Sequence, residues 1–213
     1  LTQSMKDLWN NYKALVHEKI IKDVHAREWA HWEGKGTTLV ANHYYPKYHM
    51  KSRACDIYSD KTNIYNNILY PKTGCNLPCF GMDLMGFFAK KVIIVFDFQH
   101  PKENHLVSVP GLPKAEGDFR FFEPGNHFSE NVYVAKCTAD EVDDHLPMFE
   151  KYLDAYVDML NTAQPVGNDW RVYSDFDKYM TKLDPVAGYL SSKFGKEKSE
   201  DFVENFLFSY ASD

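Results

Sequence analysis

The chain has 213 residues, 44% of them hydrophobic, which is enough for one sizeable core and too many for a disordered segment. Its net charge of −6 argues against nucleic acid as a partner, and its longest apolar run falls far short of the ~18 residues that cross a bilayer, so no membrane association is expected. The four cysteines, Cys55, Cys75, Cys79 and Cys137, lack CxxC spacing and any following His/Cys pair, so they read as free thiols of a reducing, cytoplasmic compartment. The sequence begins at Leu1 without an initiator methionine, as a trimmed chain would, which leaves a lost targeting segment open.

In chain order, Met5, Leu8, Trp9, Tyr12, Leu15 and Val16 recur at steps of three and four and predict a helix with one apolar stripe. The period then changes to two. "REWAHWEGKGTTLVANHYY" predicts two strands joined by a turn at Glu33 to Gly36, and "HMKSRACDIYSD" and "TNIYNNILYP" continue as strands. "FGMDLMGFFAKKVIIVFDF" predicts two more, with a turn at Ala89 to Lys91. Between Pro101 and Gly125, punctuation by Pro110, Gly111, Pro113, Gly117 and Pro124 predicts a loop, and "NVYVAKC" a last strand. Thr138 and Glu141 have capping-box spacing, Pro147 sets the following helix start near Asp144, and Phe149, Leu153, Tyr156, Val157 and Leu160 form its stripe. Val172, Tyr173, Phe176, Tyr179, Met180 and Leu183 form another. "DPVAGYLSSKFG" reads as a helix with Asp184 at the N-cap, Pro185 at N1 and Gly195 as its stop, and "SEDFVENFLFSY" as a short closing helix. Consecutive strands with helices at both ends predict one α/β domain over residues 1–213, an antiparallel sheet covered by helices.

No GxGxxG, Walker loop, GxSxG or HExxH is present, and the nine His are scattered. The chemistry that stands out is carboxylate. Asp83 lies amid Met82, Leu84 and Met85 in the most apolar part of the chain; it is either a hydrogen-bonded strand-end residue or a proton donor, since burial raises a carboxyl pKa toward neutrality. Asp97 is similar, with two readings: buried, which would raise its pKa in the same way, or on a solvated face, which the alternation around it allows. Asp184 reads as a helix cap. The 14 Tyr and 15 Phe suit a packed sheet and equally a flat, conjugated ligand.

From "YNNILYPKTGCNLPCFGMDLM" through "VIIVFDFQHP", "FRFFEPGNHFS", "VYSDFDKYMTKLDP" and "FLFSY", the chain resembles the ferredoxin-dependent bilin reductase family over nearly its whole length, in order. That resemblance implies a three-layer α/β/α sandwich with a central antiparallel sheet and a bilin pocket between sheet and C-terminal helices. It implies no bound cofactor: a reduced 2Fe–2S ferredoxin delivers electrons singly, the substrate becomes the radical, and the protein supplies protons. By position, the catalytic acids it implies are Asp83, from the sheet, and Asp184, from the helices. The implied substrate-binding residues are Asn66, Ile68 and Arg120, the last through a bidentate contact to a propionate. The apolar neighbours of Asp83 are then expected to form the face against which a flat tetrapyrrole lies.

The phycocyanobilin-forming branch carries a His where Asn66 stands and a Glu near Ala54. Both absences argue against phycocyanobilin as the product, and Asn66 fits the phycoerythrobilin-forming branch; the overall resemblance implies four-electron reduction of biliverdin IXα to phycoerythrobilin by way of 15,16-dihydrobiliverdin. Alternatives are a two-electron reductase that stops at dihydrobiliverdin and a non-catalytic bilin carrier. A monomer is expected, and docking of an acidic ferredoxin would draw on Lys47, Lys51, Arg53, Lys72, Lys90 and Lys91.

Overall fold

The computed structural model describes residues 5–46, 50–71, 76–103, 105–117, 127–164, 172–183 and 186–207. A 3₁₀ turn at Met5–Asp7 leads into α1 (Asn10–Lys19). Six strands follow: β1 (Arg27–Gly34), β2 (Thr37–Tyr44), β3 (Lys51–Tyr58), β4 (Asn63–Tyr70), β5 (Cys79–Phe88) and β6 (Lys91–Gln99). After β7 (Tyr133–Cys137), a 3₁₀ segment at Ala139–His145 runs into α2 (Leu146–Thr162). Then come α3 (Val172–Leu183), α4 (Val186–Phe194), α5 (Lys196–Phe202) and a π turn at Val203–Leu207. All strands form one sheet in the order of the sequence, every pair antiparallel.

Local chemistry accounts for the joints. At the β1–β2 hairpin Lys35 and Gly36 both take positive φ, 50° and 73°, the conformation of a two-residue turn that matches strand twist. The Glu141 carboxylate accepts from both the backbone N–H and the Oγ1 of Thr138, at 3.0 and 2.8 Å, so the predicted capping pair forms at the 3₁₀ segment. Pro147 then falls in the first turn of α2, whose regular part begins two residues later than Asp144.

Helices cover both faces, giving the α/β/α sandwich. On one face Phe80, Met82, Leu84, Ile94, Phe96 and Phe98 of the sheet pack against Trp9, Tyr12, Phe149, Tyr152, Leu153 and Tyr156 of the first two helical segments. These side chains are almost without exposed surface, and each fully buried one contributes about 1.5–3 kcal/mol. Their polar ends are satisfied within the layer: Trp9 Nε1 donates to Asn63 O at 2.9 Å, Tyr12 Oη to Val142 O at 2.5 Å, and Tyr152 Oη to Asn131 O at 2.5 Å. On the other face Leu39, Ala41, Ile57, Ile64 and Ile68 meet Tyr173, Phe176, Leu190, Phe202 and Phe206 of the C-terminal helices.

Asp97 takes the buried one of its two readings. It is not on a solvated face but wholly buried, where β6 runs past the end of β7. Its carboxyl accepts from the Ser129 backbone N–H at 2.8 Å and is bonded to Ser129 Oγ, which accepts from Asn131 N–H at 2.9 Å. The acid thus closes a gap in the sheet edge. Burial pushes its pKa up to about 7 against the opposing pull of these bonds. Since the folded state holds this proton more tightly than the unfolded chain, stability falls as pH rises from about 4 to 7, by an upper bound of about 4 kcal/mol. Urea unfolding at pH 4.5 and pH 7.5 tests this: the parent is expected to lose more stability across that interval than Asp97→Asn, and equal pH slopes would refute it.

Candidate functional site

Period-two alternation resolves the setting of Asp83. Its sequence neighbours Met82 and Leu84 point to the opposite face, into the core against α1 and α2, so of the apolar surface for a flat ligand expected from the sequence only Met85 lies on the Asp83 side. Asp83 itself, partly buried, faces the C-terminal helices. Backbone register fixes its companions. Across the central strands one rung reads Ala41, Cys55, Asn66, Asp83 and Val95. The next reads His43, Arg53, Ile68, Gly81 and Asp97. Lys51 and Tyr70 are paired beyond it, as are Cys79 and Gln99.

Of the residues expected to act together, the fold joins Asn66 and Asp83 as direct cross-strand partners, whose Cβ atoms in such a pair stand roughly 4.5–5.5 Å apart. Ile68, buried, lies one rung away on the same face. Asp184, Arg120, Lys47 and Lys72 lie outside the described residues. Ala54 packs into the opposite core, and the β3 residue on the Asp83 rung is Cys55, so no Glu from β3 stands beside Asp83. Gly81 has a reason the sequence did not show: a Cβ there would come within 2.7 Å of Gln99 Oε1. The first position of the Gly-x-Asp motif thus accommodates the Gln99 side chain on the pocket face.

Sequence reasoning assigned Lys51 and Arg53 to a docking surface for ferredoxin. Both are buried on the face toward the C-terminal helices, at 4% and 1% exposure, while Lys90 and Lys91 are exposed at the β5–β6 turn, so these cations do not form one patch. The signal was available: Arg53 alternates in phase with Cys55 and Ile57, which belong to the buried face. Arg53 Nη1 donates to Asn66 Oδ1 at 2.8 Å, and its guanidinium lies 5.6 Å from the centroid of the Phe206 ring. His43 stacks on the other neighbour of that cation, the same Phe206, at 4.9 Å.

The electrostatics follow from burial. His43 is lowered to about 4 by desolvation, with Lys51 and Arg53 adding repulsion, so its ring is neutral near pH 7. Lys51 falls to about 8 through desolvation and the nearby Arg53, with Asp177 of α3 pulling the other way. Asp177, 7% exposed, accepts from Tyr70 Oη at 3.0 Å and links α3 to β4. At the end of β6 a cavity of about 430 Å³ opens between Pro101, Lys102, Glu103, His127 and the α3 residues Asp175 and Tyr179. Its lining includes neither Asp83 nor Asn66. The face as a whole combines a partly buried acid, an amide opposite it, buried cations and apolar side chains. No group of three or more metal-ligating side chains occurs among the described residues.

The bond from Tyr70 to Asp177 is the tether that holds the helical layer to this polar belt. Tyr70→Phe is expected to cost roughly 1.5–3 kcal/mol in urea unfolding, because a buried carboxyl loses a donor. A change below about 0.5 kcal/mol, the scale of an ordinary surface substitution, would refute that role.

Similarity to known proteins agrees with this architecture. The sequence profile of the ferredoxin-dependent bilin reductases matches residues 10–209. The 15,16-dihydrobiliverdin:ferredoxin oxidoreductase of Gloeobacter violaceus is 29% identical over 171 residues, 71% of this chain and 70% of that protein. The protein of the same name from Parasynechococcus marenigrum is 30% identical over 169 residues, 70% of this chain and 72% of its own length. The crystal structure of tomato phytochromobilin synthase in complex with biliverdin superposes with a TM-score of 0.72 at 15% identity, over 95% of this chain and 84% of that one, and so shares the fold. With the match running almost from end to end and the sandwich reproduced, the chain is a member of the ferredoxin-dependent bilin reductase family.

Proposed function

We propose that the chain reduces biliverdin IXα to 15,16-dihydrobiliverdin and then to phycoerythrobilin, taking four electrons singly from reduced ferredoxin and four protons through its own acids. The observation that carries this reading is the Asn66–Asp83 rung on the sheet face that the C-terminal helices cover. In the first stage two electrons enter the tetrapyrrole and two protons follow, so the C15=C16 double bond becomes a single bond with a new C–H at each carbon. Asp83 is the proton donor for this stage, set against the bilin plane by β5. An amide opposite the acid neither accepts its proton nor carries charge, unlike a histidine, so the acid works alone on its rung. In the second stage Asp184 delivers a proton to the A-ring vinyl system from the helical side. Ile68 gives the bilin an apolar floor, and Arg120 takes a propionate.

A two-electron reading, ending at 15,16-dihydrobiliverdin, draws support from the names of the cyanobacterial relatives. Anaerobic turnover of biliverdin with ferredoxin and a ferredoxin-reducing system, with products separated by chromatography, divides the two. Phycoerythrobilin as the end product is expected; dihydrobiliverdin alone would establish the shorter reaction, and binding without turnover would mark a carrier.

The acids are tested one by one. Asp83→Asn is expected to bind biliverdin and to lose C15 reduction by roughly 10²- to 10⁴-fold, the usual contribution of a positioned general acid. Asp184→Asn is expected to accumulate dihydrobiliverdin. Phycoerythrobilin formed at the parental rate by Asp184→Asn would reduce that residue to a helix cap.

A further inference from the structure

Arg53 is the largest charged side chain buried on the pocket face, and removing a guanidinium from water costs several kcal/mol before any partner is found. Its position in the register is diagonal to Asn66: Arg53 pairs with Ile68, two residues along β4, and Asn66 pairs in turn with Asp83 on β5. The bond from Arg53 Nη1 to Asn66 Oδ1 therefore crosses from β3 to β4 and stops one strand short of the acid.

Two elementary facts give this bond direction. A guanidinium carries only donors, so only the carbonyl end of the Asn66 carboxamide can face it. A planar carboxamide points its oxygen and nitrogen in different directions, so holding the oxygen toward β3 leaves the N–H₂ free for a partner other than Arg53; the rung partner of Asn66 on β5 is Asp83, to which the amide is not hydrogen-bonded here. A flipped amide would set N–H against N–H beside a fixed cation. Phe206 backs the guanidinium, and the same ring carries His43, so the arginine is held by packing as well as by its bond.

We propose that Arg53 is a positioning residue of the reduction: by capturing the Asn66 oxygen it makes Asn66 a donor toward the acid and the bilin, so that the amide steadies the Asp83 carboxyl and meets a lactam oxygen rather than a pyrrole N–H. In this role Arg53 acts through the Asn66 amide. The inference rests on the reading of Asp83 as the proton donor.

A double-mutant cycle tests it on the full chain, with biliverdin affinity measured by absorbance titration and the first reduction by single-turnover kinetics with reduced ferredoxin. Arg53→Met keeps the length of the side chain and removes its donors. It is expected to slow the first reduction roughly 10- to 100-fold, the scale of a misplaced catalytic group, with little change in biliverdin affinity. Arg53→Lys, which restores a donor and the charge, is expected to recover much of the rate and provides the comparison if Arg53→Met folds poorly. In an Asn66→Ala background the Arg53 substitutions are expected to have no further effect, because Arg53 acts through that amide. Equal losses in both backgrounds, or a loss confined to affinity or thermal stability, would overturn the proposal. Asp83→Asn serves as the control: if it reduces biliverdin at the parental rate, the proton-donor reading fails and this one with it, whereas an inactive Asp83→Asn beside an unimpaired Arg53→Met refutes the positioning role alone.

Discussion

A sheet covered on both faces obliges every strand residue to choose a side, and successive residues must choose opposite ones. In β3 to β6 this constraint separates two kinds of interior. One set of alternate residues gives Phe80, Met82, Leu84, Phe96 and Phe98 to a dry aromatic core against α1 and α2. The other gives Lys51, Arg53, Asn66, Tyr70, Asp83 and Asp97 to the face beneath the C-terminal helices. The first set supplies the rigidity that lets the second carry polar groups at fixed spacing. A slip of one residue in any of these strands would send charges into the aromatic core and is excluded by that cost.

The polar face is stable because its groups are matched across elements and not only along them. Tyr70 on β4 reaches Asp177 on α3, Arg53 on β3 reaches Asn66 on β4, and Asp97 on β6 reaches Ser129 after the long connection. Buried cations on β3 meet an acid on α3 whose charge opposes the loss of the Lys51 proton. This face is locally cationic, although the chain as a whole is acidic.

Much of this was legible in the sequence. The strand count, the antiparallel sheet and the helical stripes follow from the switch between periods of two and of three to four, and the register brings Asn66, Ile68 and Asp83 to one face. Errors arose where one face had to be called solvated. Lys51 and Arg53 were read as water-facing because they are charged, and Asp97 was left open between the two settings, yet each alternates in phase with buried residues. Tyr152, missing from the α2 stripe as read from the sequence, is buried one turn before Tyr156, at a spacing the stripe allowed. What no local pattern contains is the partner: nothing near Asp97 points to Ser129, nothing near Tyr70 to Asp177, and nothing near Gly81 to the Gln99 side chain that lies over it.

The strand order has a consequence for how the molecule comes together. Every strand pairs with its neighbour in the sequence, so each step of sheet formation closes a short loop, with the exception of the long excursion before β7. The helical layer over the pocket face is different, since the bond between Tyr70 and Asp177 spans 107 residues. Local pairings form ahead of distant ones on entropic grounds, and ribosomal synthesis adds the C-terminal helices last. The aromatic half of the sandwich is therefore the scaffold on which assembly proceeds, and the polar half that carries Asn66 and Asp83 is the last to be enclosed.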